Sequence, residues 1–334
     1  MKKSVIYCFI GLSLIALTAA YVVNDSCIVK SNMTIDNLPE KESILIKYIK
    51  LNMVIFNMKK QLENECKTGK FWIKPCPFPF FLKLKYDYSE IKFGNRSYWV
   101  VKPKHATSNN LLFYFHGGGF IRNIVFWQWM MVADIISRTN ATFIIPNYEI
   151  APFWTYKETY EFVMNCYLET LKLYPDMNIH LIGDSAGGGF ILSFANSIKE
   201  LGLKRPKNLL MIAPWIDLSG QSTDYYEIVP YDKLLDYNGG VLAATLFAGD
   251  MNKEDPRLSP LFGNLKDLPR MAIFIGTHDS LMADCRLLRK RLINESIPHE
   301  YHEFPKMFHV FNAITPLKEA KIANQRIADI VNQS

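Results

Sequence analysis

The chain has 334 residues, of which 49% are hydrophobic, and a formal net charge of +6 at pH 7. This composition is sufficient for a substantial core and for one large α/β domain. The basic residues are dispersed rather than interleaved with aromatics in a stripe, which argues against nucleic-acid binding. No Cys/His cluster has metal-ligand spacing, so we expect neither a metal nor another cofactor.

The amino terminus carries a separate signal. Lys2 and Lys3 precede an uncharged stretch over residues 4–23 that is about long enough to cross a bilayer. Because this stretch exceeds the usual core of a signal peptide, we interpret residues 1–23 as a signal anchor; the alternative is a cleaved signal peptide and secretion. An anchor behind two lysines predicts a single-pass membrane protein whose remaining chain is lumenal or extracellular.

Acceptor motifs for glycosylation favour the same compartment. Five asparagines fit the pattern N-x-S/T: Asn24, Asn32, Asn95, Asn140 and Asn294. Chance gives roughly two, so the excess predicts a glycoprotein. An oxidising compartment permits disulfides, but five of the six cysteines lie outside the apolar stretch and cannot all pair, so their connectivity stays open.

Residues 24–84 are interpreted as an N-terminal cap or linker region, because helical apolar spacing there ends in a turn-rich stretch. From residue 85 onward, apolar runs predict eight strands, near 85–92, 97–101, 111–115, 142–145, 179–182, 209–213, 271–275 and 300–304. Helical patterns lie near 126–138, 156–174, 186–201, 281–293 and 317–332. The alternation predicts one α/β domain over residues 85–334, with a mostly parallel sheet and helices on both faces.

A glycine run follows the third predicted strand directly. His116 is succeeded by Gly117, Gly118 and Gly119, where missing side chains let backbone amides approach a ligand. We therefore predict these three glycines as donors of an oxyanion hole. His116 precedes the donors and is interpreted as a structural hydrogen-bonding residue of the loop.

The fifth predicted strand leads into a G-D-S-A-G sequence at 183–187, and an apolar helical stretch follows. This arrangement is typical of a nucleophile elbow, with Ser185 at the apex, Asp184 as part of the motif and the amide of Ala186 completing the oxyanion hole. Small residues also form ordinary tight turns, so the interpretation depends on finding the other catalytic residues.

A serine nucleophile needs a base and an acid that orients the base. The seventh predicted strand ends near Asp279, and the loop after the eighth carries His309. A carboxylate at a strand's carboxyl end and a histidine in the loop after the last strand are where the fold needs them, so we predict Asp279 as the acid and His309 as the base. Rival residues are present as well: Asp284 for the acid, and His299 and His302 for the base.

Residues 219–258 interrupt the span between the sixth and seventh strands and predict a helical cap insertion. Together with residues 24–84 they are expected to cover the nucleophile. Phe120, Trp127 and Trp215 are then candidates for an acyl pocket, with plain core packing as the competing explanation.

The order Ser185, Asp279, His309 is that of the α/β-hydrolase fold. The chain, from about residue 85 to its end, also resembles the hormone-sensitive-lipase-like esterases, which include bacterial acetyl esterases and arylacetamide deacetylase. The resemblance is carried by residues 116–119, 183–188, 255–261, 276–281 and 308–309. It implies ester hydrolysis, with the acid and base roles on Asp279 and His309.

Two departures from the family pattern stand close to the predicted site. Residues 149–153 read Glu-Ile-Ala-Pro-Phe where the family usually has Arg-Leu-Ala-Pro-Glu, and Val310 stands where a glycine commonly follows the catalytic histidine. We expect the first to change how that loop supports the site and the second to alter the geometry of the His309 loop.

These features predict a serine carboxylesterase that hydrolyses short- to medium-chain or moderately lipophilic esters through an acyl-enzyme. Amide deacetylation and lipid-ester hydrolysis are alternatives, because the same residues perform them. A non-catalytic ligand-binding scaffold, as in the gibberellin receptors of this family, is a third; those receptors have lost the catalytic histidine, so His309 argues against it. The substrate is expected to be a small-molecule or lipid ester, and the oligomeric state stays open.

Overall fold

A computed structural model of the protein describes residues 41–222 and 224–333. At its centre is an eight-stranded sheet in the order β1-β2-β4-β3-β5-β6-β7-β8. The strands are β1 (Tyr86–Phe93), β2 (Arg96–Pro103), β3 (Asn110–Phe115), β4 (Thr142–Pro146), β5 (Asn178–Asp184), β6 (Asn208–Ile212), β7 (Arg270–Gly276) and β8 (His299–Phe304). Strand β2 is antiparallel to β1 and β4, and the other neighbours are parallel. All eight strands agree with the sequence prediction to within two residues at each end, and the fold class is confirmed.

Nine α-helices lie in this part of the chain. They are α1 (Ile44–Ile55), α2 (Gln61–Thr68), α3 (Phe126–Thr139), α4 (Tyr156–Leu173), α5 (Ala186–Glu200), α6 (Tyr225–Ile228), α7 (Tyr237–Ala248), α8 (Met282–Asn294) and α9 (Lys318–Asn332). The five predicted crossover helices correspond to α3, α4, α5, α8 and α9. Local signals mark their ends: Thr155 and Glu158 form a capping box at the start of α4, and α3 stops at Asn140 in the left-handed conformation.

The predicted membrane-spanning segment precedes the residues that the structure describes. Within residues 41–222 and 224–333, each helix is too short or too polar to span a bilayer. The predicted anchor, in residues 1–23, lies outside the described residues and stays a prediction.

The core follows the central parallel strands. All residues of β3, β4 and β6 are buried, whereas β1, at the sheet's antiparallel edge, is largely exposed. Continuous apolar runs are what parallel strands need when both faces of the sheet are covered. This packing brings the carboxyl ends of β3, β5, β7 and β8 to one edge, where the predicted site residues follow.

The two predicted cap segments pack against each other. Gly239 in α7 lies against α2: a Cβ added there would stand 2.9 Å from the Glu63 amide nitrogen and 3.1 Å from Leu62 Cβ, so only glycine allows this approach. Beside it, Lys60 Nζ contacts both Glu63 at 3.0 Å and Asp236 at 2.9 Å. We call α1, α2, α6 and α7 with their connections the cap layer.

Candidate active site

Ser185 stands at a strained turn between β5 and α5. Its φ of 54° and ψ of −123° are unusual for a residue other than glycine. The turn is held by the backbone, because the Ser185 amide donates to the Ile212 carbonyl at 2.9 Å and its carbonyl accepts from the Trp215 amide at 2.9 Å. The side chain is therefore presented at the edge of the sheet, only 8% exposed.

Three predicted residues from distant parts of the chain form one hydrogen-bonded chain. His309 Nε2 lies 2.8 Å from Ser185 Oγ, and His309 Nδ1 lies 2.8 Å from Asp279 Oδ2. A buried carboxylate can only accept, so Nδ1 carries the proton and Nε2 is left to accept from the serine hydroxyl. The arrangement has the geometry of a nucleophile, a base and an orienting acid.

Burial and charge act in opposite directions on His309. Burial, the largest single effect, lowers the pKa of its imidazole, but the charge and hydrogen bond of the Asp279 carboxylate, together with the charges of Asp232 and Asp184, raise that pKa above its ordinary value. The site is thus built to stabilise an imidazolium, the species formed when the histidine takes the serine proton.

The glycine loop lies directly against the elbow. A Cβ at Gly117 would stand 2.4 Å from Asp184 Oδ2, so no larger residue fits without a shift. Gly118 and Gly119 have φ of 127° and 62°, and in the described chain no acceptor is recorded for their amides. Ala186 begins α5, where helix geometry leaves the first amides without an acceptor. These three amides are available to an oxyanion.

The prediction that Gly117 also supplies an oxyanion donor is wrong. Its amide donates to Asp184 Oδ1 at 3.0 Å and is therefore occupied. Asp184 is buried and accepts two further bonds, from the Tyr114 hydroxyl at 2.5 Å and Gln128 Nε2 at 2.9 Å. Asp184 thus ties the glycine loop to the elbow, and its partners Tyr114 and Gln128 escaped the sequence analysis because neither belongs to a local motif.

His116 is placed as a structural residue. Its ring stacks on Tyr148 with centroids 4.2 Å apart, and the Tyr148 hydroxyl donates to the His116 carbonyl. Complete burial lowers the pKa of His116 to about 4, so its imidazole is neutral. Through these contacts with Tyr148, His116 stabilises the start of the glycine loop.

The three aromatics proposed for an acyl pocket separate into two groups. Phe120 stacks on Phe247 of the cap insertion at 3.8 Å and on Trp215 at 6.1 Å. Trp127 instead packs on the ring of its neighbour Phe126 at 5.2 Å. The structure therefore brings Phe120 and Trp215 together beneath the cap layer and gives no such role to Trp127.

The rival acid and bases have other partners. Asp284 lies near Asp217, and burial raises its pKa to about 8. His299 Nδ1 lies 2.8 Å from the Ile297 carbonyl oxygen. His302 Nε2 lies 3.0 Å from Glu300 Oε2. Those contacts are separate from the chain that Asp279 and His309 form with Ser185.

The cap layer also contacts the two loops that carry Asp279 and His309. Lys50 of α1 donates to the Lys306 carbonyl at 2.7 Å, lies 2.9 Å from His278 Nδ1 and pairs with Glu42. His278 precedes Asp279, and Lys306 lies in the loop that carries His309. Sequence reasoning missed Lys50, since His278 and Lys306 lie more than two hundred residues away and leave no local pattern.

In residues 41–222 and 224–333, no three His, Cys, Asp or Glu side chains are grouped so that they could hold a metal ion. The thiols of Cys66, Cys166 and Cys285 are not in disulfides.

Comparisons with known proteins agree with this fold. A family model described as alpha/beta hydrolase fold matches residues 112–313. An esterase of Acinetobacter venetianus is 28% identical over 232 residues, covering 67% of this chain and 74% of that protein. An acetyl-hydrolase of Streptomyces hygroscopicus is 24% identical over 248 residues, covering 70% and 83%. The solved structure of a hormone-sensitive lipase from a metagenome library superposes with a TM-score of 0.74 at 21% identity, covering 88% and 99%.

The matched region is more than half of the chain, so the protein belongs to the α/β-hydrolase fold family. The predicted resemblance to esterases agrees with the names of these relatives, and the superposed structure supports the fold.

Proposed function

We propose that the protein is a serine carboxylesterase in which Ser185 is the nucleophile, His309 the base and Asp279 the orienting acid. The observation that carries the proposal is the hydrogen-bonded chain through these three side chains, next to the available amides of Gly118 and Ala186. An enzyme is favoured over a ligand-binding scaffold because the histidine is present and contacts the serine.

The mechanism follows from this geometry. The Ser185 hydroxyl attacks the ester carbonyl while His309 Nε2 takes its proton, and Asp279 stabilises the imidazolium. The amides of Gly118, Gly119 and Ala186 bind the oxyanion that develops on the carbonyl oxygen. His309 then protonates the leaving alcohol, and a water molecule that His309 activates releases the acid from Ser185.

The cap layer favours a substrate of limited size. At Gly119, Leu62 of α2 and Ala243 of α7 lie within 3.5 Å and 3.9 Å of the position of an added Cβ, so both cap segments reach the predicted oxyanion hole. Phe120 and Trp215 provide apolar surface beneath them. Each buried methylene stabilises the complex by about 0.8 kcal/mol until such a space is full, so short- to medium-chain esters should react best.

A series of p-nitrophenyl esters from two to sixteen acyl carbons tests this proposal, assayed with and without detergent micelles. kcat/KM should climb from acetyl to butyryl or hexanoyl and then fall. A maximum at sixteen carbons would indicate a lipase instead, and faster cleavage of a matched anilide would indicate an amide deacetylase. Absence of turnover, together with no labelling of Ser185 by a fluorophosphonate, would reject the enzyme altogether.

We also propose that residues 1–23 anchor the protein in a membrane, with the catalytic domain lumenal or extracellular. Support comes from the sequence and from the surface: the acceptor asparagines Asn95 and Asn294 are both exposed. The protein should stay in the membrane pellet after alkaline carbonate washing and lose mass on treatment with an N-glycosidase. A mature chain beginning near Tyr21 would show a secreted enzyme instead.

A further inference from the structure

The cap layer contains a buried carboxylate that the proposed mechanism does not use. Asp232, in the turn between α6 and α7, is 1% exposed. Its Oδ1 accepts the amides of Leu234 at 2.8 Å and Leu235 at 2.9 Å, and its Oδ2 accepts the amide of Ser280 at 2.8 Å and its hydroxyl at 2.6 Å. Four donors thus satisfy a group that would otherwise be costly to bury.

The partner of Asp232 is next to the predicted acid. Ser280 directly follows Asp279, whose Oδ1 accepts the Leu281 amide at 3.0 Å. The bonds from Asp232 therefore act on the backbone that sets the direction of the Asp279 side chain. They are made from the cap insertion, 48 residues earlier in the chain.

Asp232 is also joined to the amino-terminal part of the cap layer. Lys59 Nζ donates to its carbonyl at 3.0 Å and to the Val229 carbonyl at 2.8 Å. The turn that contains Asp232 thus connects three parts of the chain: the segment before β1, the cap insertion and the loop that carries Asp279. A displacement of the cap layer would remove the acceptor that Ser280 uses.

We propose that Asp232 is a positioning residue that holds the Asp279 loop from the cap, so that the Ser-His-Asp geometry is complete only when the cap layer is seated on the sheet. This inference rests on the proposed esterase function. Besides geometry, Asp232 contributes charge: it is one of the carboxylates that raise the pKa of His309. The titratable groups around it are Lys59, Tyr225, Lys233, Asp279 and His309.

The test is the substitution Asp232→Asn, with rates divided by the concentration of sites titrated with a fluorophosphonate. The amide places a donor against Ser280 or against the two leucine amides, so kcat should fall roughly 10- to 100-fold, as expected when a charge-assisted hydrogen bond is lost. The midpoint of the pH profile of kcat/KM should move to lower pH, because a negative charge that favours the imidazolium is gone.

The matched control is Asp236→Asn. Asp236 lies in the same insertion, pairs with Lys60 and caps α7, where asparagine caps equally well. This variant should keep the wild-type kcat and pH midpoint. A merely structural role for Asp232 would reduce the titrated fraction of Asp232→Asn without moving the pH midpoint or the kcat of the titrated enzyme.

Wild-type kcat and midpoint in titrated Asp232→Asn enzyme would overturn the proposal, and so would an equal shift in the control. If Asp232→Asn does not fold, Ser280→Ala removes the hydroxyl donor and keeps the amide; it should lower kcat roughly 3- to 10-fold, and an unchanged kcat would overturn the proposal. Failure of the esterase function is distinct, since the wild-type protein would then neither be labelled nor turn over an ester.

Discussion

The two layers that meet at Ser185 are held together by different forces. The sheet beneath it is apolar, with all six residues of β3 buried, and the backbone of Ser185 is bonded on both sides, to Ile212 and Trp215. The cap layer above it is joined by the close approach at Gly239 and by ion pairs of Lys60, whose side chain is 44% exposed. Exposed ion pairs of this kind contribute little to stability.

The outer face of the cap layer differs from an ordinary surface as well. Four aliphatic side chains of α1 are more than half exposed: Ile44, Leu51, Val54 and Ile55. The reacting atoms are therefore fixed by a packed apolar sheet, whereas the cover over them combines apolar packing, such as the stack of Phe247 on Phe120, with polar contacts made by single residues. Changes in the sheet layer should therefore affect chemistry, and changes in the cap layer should affect substrate access and the assembly of the site.

The largest expected effect lies in the sheet layer. Ser185→Ala deletes one oxygen at the elbow and should lower kcat by about 10⁴-fold or more while the fold is kept, since the turn is held by backbone bonds. Ester hydrolysis and circular dichroism on the same preparation measure both. A residual tenth of the wild-type rate, free of contaminating esterase, would contradict the role of Ser185.

The next effect concerns the base. His309 must be neutral to accept a proton, and its pKa is raised above 6.5, so kcat/KM should fall as the pH drops through a single ionisation whose midpoint lies above that value. His309→Gln should remove most activity, roughly 10³- to 10⁴-fold.

His302→Gln is the control for this prediction, and it should keep both the rate and the profile. If His309→Gln kept the wild-type profile and His302→Gln lost it, the base would be His302.

A smaller effect is expected in the cap layer, where two neighbouring glycines offer a matched pair. Gly239→Ala places a Cβ 2.9 Å from the backbone of α2, whereas at Gly240 the nearest atom recorded is 3.9 Å away. Helix propensity favours both changes by about 1 kcal/mol, but the clash at Gly239 should outweigh it by about 1–3 kcal/mol.

We expect Gly239→Ala to lower the melting temperature and the kcat/KM for butyrate esters, and Gly240→Ala to lower neither. Equal behaviour of the two variants would show that contact between the cap segments does not govern access.

The smallest effect concerns Val310, which has a φ of 51° although it is β-branched. The backbone at Val310 is thus left-handed, a conformation that glycine adopts without the strain that a β-branched residue incurs. Val310→Gly and Val310→Ala both delete the two γ-methyl groups, but only alanine retains the Cβ and its left-handed penalty, so the glycine variant should have the larger free energy of unfolding, by about 1 kcal/mol. Urea titration of both variants measures this difference, and a more stable alanine variant would show that the loop is unstrained.

The sheet layer could be predicted from the sequence because its signals are local. Continuous apolar runs mark the strands, and each site residue stands at a strand end, where α/β proteins place their chemistry. The same reasoning overestimated the oxyanion hole, since nothing local shows that Gly117 donates to Asp184.

The cap layer was predicted in outline only. Its two segments were recognisable because they fall outside the strand pattern, but their contacts depend on single residues far apart in the chain. Asp232 with Ser280 and Lys59 with Val229 are pairs of this kind. Neither pair has a spacing or a motif that distinguishes its residues from the other polar residues of the sequence, so only the tertiary structure shows them.

The contacts of Lys50 bear on how far the chain can be shortened from its amino terminus. The sequence suggests a joint near residue 85, with an independent hydrolase after it. A fragment that began there would lack Lys50, leave the Lys306 carbonyl without that donor and remove Lys59 from the turn of Asp232. We therefore expect a trimmed form to keep full activity only if it begins before Glu42, so that the contacts of Lys50 and Lys59 with the loops around the site are retained.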